Sequence, residues 1–396
     1  MSTIALEPAP LRTESLSDRT ARVAEVAAAH LVRTDREAAF PVEALDEMRR
    51  TGLLGLLVPT EYGGLGGTVA DMVATSIELG RVDMSVAVIF AMHCQQVEAV
   101  VRHGSEPLRR RLLPEIADGR RYLASVTTEA GKGGHLLTSE SALSDADGEL
   151  LLDRFAPIVT GGEHADGFLV TMLAPGATSP NQVSLVYADR EQLTTLERSG
   201  DWQPLGMRAS HSVALKLRGQ VPCAQVVGRQ GDFRAIVTSV FGPMAHLGWS
   251  ACWLGTAAGA LSRVLRMLRS PANRGRTDLG SELLLTRLSR TRQRLETVHA
   301  LLARTERTVA ESADLSLPRV QLQLNALKIT AAEECYRAVD ELVDAVGMRH
   351  GYLKDSPTRL EHALRDLRSA ALNYSNDRLH LADGKLALLD PEVRFA

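Results

Sequence analysis

The sequence predicts an α+β chain in three parts: helices, then strands, then helices. Three observations carry this expectation. Through the first third, apolar residues recur at three- and four-residue spacing, the helical period. From Tyr122 to about Val227, short apolar runs are separated by Gly- and Asp-containing turns, the pattern of antiparallel strands. After Phe233 the helical period returns in long stretches. Strands do not alternate with helices and no strand–GxGxxG–helix unit occurs, so a doubly wound nucleotide-binding sheet is not expected.

Taken in order, residues 1–15 are polar and Pro-containing and are expected to form a disordered tail. An N-terminal helical domain is expected over 16–120. It holds an amphipathic helix at 16–32 and a second opened by Pro41 and closed near Gly52. The Gly-rich loop VPTEYGGLGG follows, then helices at 68–79, 84–103 and 106–118. The 84–103 segment is apolar nearly all round, as a buried central helix would be. A middle β domain over 121–230 holds the runs LASVT, ELLLDRF, GFLVTML, QVSLVYA and SVALKLRGQVP. A C-terminal four-helix domain over 231–396 begins with a long apolar helix at 233–268. Helices at 283–311, 318–346, 356–372 and 376–389 follow.

Composition narrows the function classes. A formal charge of −3 gives no footprint for nucleic acid. The cysteines, Cys94, Cys223, Cys252 and Cys335, lie far apart with no CxxC or His/Cys cluster. That argues against a zinc site and for reduced thiols in a cytoplasmic setting. The apolar run at 73–92 is broken by Glu78, Arg81 and Asp83, so no membrane span is expected, and the polar N-terminus does not read as a signal peptide.

The stretch from Tyr122 to Thr171 carries the chemistry. Two β-like runs flank two glycine-rich turns, Gly131–Gly134 and Thr160–Gly162. Glycines let backbone N–H groups approach a ligand, and Thr127, Thr128 and Thr160 add hydroxyls for a heteroaromatic ring or a phosphate. Such turns are also ordinary hairpin loops, so their setting decides.

That setting resembles the acyl-CoA dehydrogenase superfamily of flavoproteins over about 45–389. TTEAGKGG is similar to the family's T-E-P-x-A-G-S-D. LGMRASHSVALKLRGQVPCAQVVG resembles the closure of its β domain. RTDLG, from Arg276 to Gly280, stands where the family has R-x-Q-F-G. GMRHGY, from Gly347 to Tyr352, resembles G-G-x-G-Y with one additional residue, and RDLR at 365–368 matches R-D-x-R. The resemblance implies an acyl-CoA dehydrogenase-like fold with FAD between the middle and C-terminal domains. It implies Val126, Thr127 and Thr128 at the pyrimidine end of the ring, Gly133 and Gly134 toward phosphate, and Val159 or Thr160 beside N5. Gly347 and Gly351 fall in the matched glycine loop. Arg276 would reach the cofactor of a neighbouring subunit, implying a homodimer or homotetramer.

The departures bear on activity. The family's catalytic Glu stands nine residues after the Arg of R-D-x-R. Here that count from Arg365 reaches Tyr374, and the nearest acid is Asp377. The alternative Glu position, near the start of the first C-terminal helix, holds Ala245 or His246, and His135 replaces the acid of the glycine-rich segment. Candidate catalytic residues are therefore Tyr374, Asp377, His135 and His246. Two activities stay open. One is α,β-dehydrogenation of an acyl thioester on CoA or an acyl carrier protein. The other is oxygen-dependent hydroxylation with reduced FAD from a flavin reductase. A non-catalytic binding role is the remaining alternative.

Overall fold

The computed structural model describes residues 14–131 and 135–395. Five helices open the chain: α1 (Leu16–Glu37), α2 (Val42–Thr51), α3 (Val69–Gly80), α4 (Met84–His103) and α5 (Glu106–Ala117). Their starts are written in the sequence. Ser15 accepts from Asp18 N, Thr68 and Asp71 form a reciprocal capping box, and Asp83 accepts from Ser85 N and Val86 N. α1 runs past the expected end at 32 and stops where Ala38 turns left-handed. α4 is buried over most of its length. Among the described residues it is the one helix long and apolar enough to cross a membrane, and it lies inside the protein.

Eight strands follow: β1 (Leu123–Val126), β2 (Ser144–Ala146), β3 (Glu149–Ala156), β4 (Gly167–Leu173), β5 (Val183–Asp189), β6 (Leu193–Ser199), β7 (Ala214–Pro222) and β8 (Val226–Val227). They form two four-stranded sheets, ordered β1-β4-β5-β8 and β2-β3-β7-β6. Pairing is antiparallel except between β1 and β4, where Leu123 lies opposite Gly167 and Val126 opposite Val170. Between these two strands the chain builds β2 and β3 in the other sheet, which supplies the long crossover a parallel pair needs. β2 and β6 were not among the expected strands. β2 is exposed throughout and β6 buries no face, so neither carries a hydrophobic alternation.

The C-terminal part comprises α6 (Phe233–Ile236), a π-turn over Val237–Phe241, α7 (Gly242–Leu268), α8 (Glu282–Glu311), α9 (Pro318–Gly347), α10 (Leu360–Leu367) and α11 (Asn376–Ala387). The single helix expected over 233–268 is thus interrupted. Pro243 has no N–H for the carbonyl four residues earlier. That carbonyl, Ser239 O, takes Arg102 Nη1 at 2.9 Å instead, and Phe241 O takes Gln95 Nε2 at 2.7 Å. α10 is shorter than the expected 356–372. Turns follow it, and Tyr374 is left-handed (φ 49°).

The R-D-x-R segment joins the three parts. Arg365 donates to both oxygens of Asp35 on α1, at 3.1 and 2.8 Å, and to Leu205 O at 3.1 Å. Asp366 is buried and accepts Met207 N at 2.7 Å, with His362 Nε2 at 3.2 Å. Gly206 sits directly against this backbone. A Cβ there would lie 2.1 Å from Arg365 O, so only glycine fits.

Candidate functional site

β1 is an edge strand, so one row of its backbone groups faces away from β4. At its start that edge is met by α4: Leu123 N donates to His93 Nδ1 at 3.0 Å, and the other ring nitrogen of His93 donates to Leu54 O at 2.9 Å. At its exit, the Thr128 hydroxyl donates to Ile158 O at 2.8 Å and accepts Ile158 N at 3.2 Å. The exit of β1 is thereby tied to the segment after β3. Thr127 is half-buried, and its side chain makes no hydrogen bond among the described residues. Val159 is fully buried, with its N bonded to Val213 O at 3.0 Å. Thr160 is half-buried, and its hydroxyl opens a chain through Ser212 (3.0 Å) and Ser210 (2.8 Å) to Met207 O (2.7 Å). Of the two residues expected beside N5, Thr160 presents the hydroxyl. Gly161 has a packing reason: a Cβ would meet Phe40 and Tyr122 Oη at 2.6 Å.

Behind this edge lies an ion pair the sequence reading did not single out. Arg154 on β3 is fully buried and pairs with Glu129, and it also donates to Thr128 O at 2.8 Å. Glu129 in turn accepts Glu140 N at 3.1 Å, Ser141 N at 2.9 Å and Ser141 Oγ at 2.6 Å. The carboxylate after the two threonines is therefore structural: it holds the returning limb of the glycine-rich loop. Gly133 and Gly134 lie outside the described residues.

A second patch forms where α7 meets the turn between α10 and α11. The His246 and Tyr374 rings come within 6.4 Å, centroid to centroid, and Trp249 lies 6.4 Å from His246. Two of the four candidate catalytic residues thus meet, although they are far apart in the chain. His246 is buried, and its Nδ1 has no hydrogen-bond partner among the described residues. The backbone of Leu324 on α9 favours a charged ring. Its N–H belongs to the α9 ladder, so the group turned to the ring is the carbonyl, and an Nε2–H aimed at it would leave Nδ1 as an acceptor. Burial, followed by the ammonium of Lys328, pushes the His246 value down to about 4. Burial raises the Tyr374 phenol, with Arg378 opposing. Between α4 and α7, next to Ala245, lies a shallow depression lined by Met92, Gln95, Met244 and Trp249 among others, packed closely enough to leave no room for a water molecule. α4 links the two patches, since His93 touches β1 and Met92 and Gln95 line the depression.

The other expected residues lie apart from this patch. His135 and Asp377 are exposed and form no ion pair among the described residues. Arg276 and Gly347 are exposed as well. Gly351 is buried where a Cβ would stand 2.7 Å from Val343 O, so its place in the motif is set by packing. A larger groove of about 510 Å³ opens between α3, α7 and α8, on another face of α7. Its arginines are committed, Arg81 to Glu78 and Arg292 to Glu296.

Two family models match this chain: the acyl-CoA dehydrogenase N-terminal domain over residues 13–120 and the acyl-CoA dehydrogenase C-terminal domain over residues 243–373. The chain belongs to the acyl-CoA dehydrogenase family. An acyl-CoA dehydrogenase of Bacillus subtilis is 24% identical over 333 residues, covering 83% of this chain and 84% of that one. Among solved structures, the dibenzothiophene monooxygenase TdsC of Paenibacillus sp. A11-2, with FMN and indole, superposes with a TM-score of 0.84 at 21% identity. That match covers 96% of this chain and 98% of the other. Butyryl-CoA dehydrogenase of Megasphaera elsdenii gives a TM-score of 0.82 at 17% identity, covering 97% and 100%. The family is one of flavoenzymes, and the likeness extends both to proteins named as dehydrogenases and to one named as a monooxygenase.

The residues present suit the family's FAD. The free edge of β1 and the unbonded Thr127 side chain offer donors and acceptors for a flavin pyrimidine, and Thr160 offers a hydroxyl beside them. Arg276 is exposed and forms no ion pair among the described residues.

Proposed function

We propose that this protein is an FAD-dependent oxidoreductase of dehydrogenase type that acts on a compact acyl thioester, with His246 as proton acceptor. The observation that carries this reading is the His246–Tyr374 meeting. Both positions where the family can place its carboxylate come together, and one of them holds a neutral imidazole with a free Nδ1. At about 4, His246 matches an ordinary Glu side chain, whose reference value is about 4.3. It can therefore stand in for a carboxylate as a base that is unprotonated at neutral pH. Tyr374 is 40% exposed, and its phenol, already near 10 as a free side chain and raised further here, is neutral at pH 7 and supplies a hydrogen-bond donor at the same place. FAD, when bound, supplies the hydride acceptor; of this chain's own groups, His246 Nδ1 would take the α-proton. Met92, Met244 and Trp249 fill the space next to Ala245, which favours short acyl groups over long chains.

The test is anaerobic mixing of the FAD-loaded protein with short acyl thioesters, on CoA and on an acyl carrier protein. Bleaching of the flavin is expected, with the rate lowered about 10²–10⁴-fold in His246→Gln, the range for loss of a general base. Bleaching at the wild-type rate in that variant would remove His246 from the mechanism. A second reading, hydroxylation with reduced flavin from a reductase, is favoured by one observation: neither position carries a carboxylate, and hydroxylation needs no α-proton acceptor. Absence of anaerobic bleaching, together with incorporation of one atom of labelled oxygen when a reductase and NADH are supplied, would establish it.

A further inference from the structure

We infer that Lys328 is a positioning residue for this site: its ammonium clamps the turn that carries Tyr374 and sets a positive charge against α7, the helix that carries His246. The inference rests on the reading above for the location of the site.

Lys328 lies in the middle of α9 and is fully buried. An ammonium has three donors, and all three are used on one short segment. Nζ donates to Ala370 O at 3.1 Å, Tyr374 O at 3.1 Å and Asn376 Oδ1 at 2.7 Å. That segment falls between the end of α10 and the start of α11, where carbonyls lose their helical partners and Tyr374 is left-handed. Without the clamp, a carbonyl at each end of the turn would lie buried without a donor. On its other side the ammonium lies 5.6 Å from the centre of the Trp253 ring, on the same helix as His246.

The charged and titratable groups around it are few. His246 on α7 and Glu333 on its own helix couple to its charge, and Arg378 on α11 couples to Tyr374. Among the described residues no carboxylate bonds Nζ directly. Glu333 instead accepts Asn376 Nδ2 at 3.4 Å, orienting the amide whose oxygen takes the lysine. Burial lowers Lys328 to about 8, opposed by Glu333, so it is still largely charged at neutral pH. A cation here disfavours a second cation on His246. Lys328 thus does two things at once. It fixes where the Tyr374 backbone stands, and it keeps the Nδ1 lone pair of His246 available as an acceptor.

The test reads His246 itself, in full-length protein with ¹³C-labelled histidine, by NMR titration, with the resonance assigned through His246→Gln. In Lys328→Met and Lys328→Gln, the His246 midpoint is expected to rise by about one unit or more as the like charge is removed. Lys328→Arg, which keeps the charge, should stay at the wild-type value. An unchanged midpoint in a folded Lys328→Gln overturns the electrostatic role. Asn376→Leu leaves the ammonium in place and removes one acceptor. It is expected to speed amide exchange over 370–376 with the His246 midpoint unmoved, and unchanged exchange overturns the clamp. This second variant decides the matter if the lysine replacements do not fold. Because neither readout uses turnover, the outcomes separate. Full activity in His246→Gln would sink the catalytic assignment and leave the Lys328–His246 coupling standing.

Discussion

Arg154 shows how much one side chain can organise. It is a charged residue at an inward position of β3, where the neighbours on the same face are Leu150, Leu152 and Ala156. Removing one partner of a buried pair strands the other, so Arg154→Met is expected to cost about 3–5 kcal/mol in unfolding free energy. Chemical denaturation measures it, and an unchanged midpoint would mean that Glu129 is held by the 139–141 loop alone. The signal was present in the sequence, since period-two alternation places Arg154 inside, but a single charge in a strand is easily taken for its solvent face. Lys328 was legible in the same way. It follows Leu324 by four residues and precedes Ala331 by three, on the apolar stripe of α9. Counting from matched motifs offered Tyr374 and, at the alternative position, Ala245 or His246. It could not show that His135 and Asp377 lie elsewhere, because that depends on how distant segments pack.

At the scale of elements, two histidines act as pins with opposite pH dependence. His93 joins α4 to β1, accepting at one nitrogen and donating at the other. Burial lowers it to about 4. The unfolded chain therefore binds more protons than the native one between about 4 and 6.5, and stability rises with pH across that window. Buried His246 adds in the same direction, whereas Asp83, raised by burial to about 6, opposes. His362 on α10 is the reverse case. Burial works against its charge, but Asp366, Asp35 and Asp83 outweigh it and lift it to about 9. Its contribution is fully present below about 6.5 and is lost as pH rises through 9. Denaturant midpoints should therefore peak near neutral pH, with His362→Gln flattening the alkaline limb and His93→Gln weakening the acid limb. A wild-type midpoint that keeps rising from pH 7 to 9 would contradict the assignment of His362. The elements themselves were largely legible, because caps and periods are local. The π-turn was not: it depends on Pro243 leaving Ser239 O to a partner on α4, a contact between residues far apart in sequence.

At the scale of the whole molecule, Arg276 is exposed, as the expected contact with the cofactor of a second copy requires. Arg276→Ala is expected to weaken FAD binding by about 1.5–3 kcal/mol, the range for a hydrogen bond to a charged group, as read by fluorescence titration with FAD. FMN, which lacks the pyrophosphate linkage, should show no such loss. The wild-type protein should be a dimer or larger by light scattering when FAD is bound, and a loaded monomer would remove the basis for Arg276. The order of helices, strands and helices was readable from the sequence because each third has its own period. The relation between the thirds was not, because it rests on contacts such as Arg365 of the R-D-x-R segment with Asp35, 330 residues apart.

That segment has a consequence for how the chain reaches its final state. Asp35 and Arg365 are separated by 330 residues, and Gly206 touches the same joint. During synthesis, α1 and the β strands emerge long before α10 exists to meet them. The loop around Gly206 must wait, open, for a backbone that fits it without room for a single methyl group. Closing a contact over so long a stretch carries a large entropic cost, so this joint is among the last to form. Termination anywhere before Arg365 would leave Asp35 without that partner and Met207 N without its acceptor. The cell therefore has a structural mark by which an unfinished chain differs from a finished one.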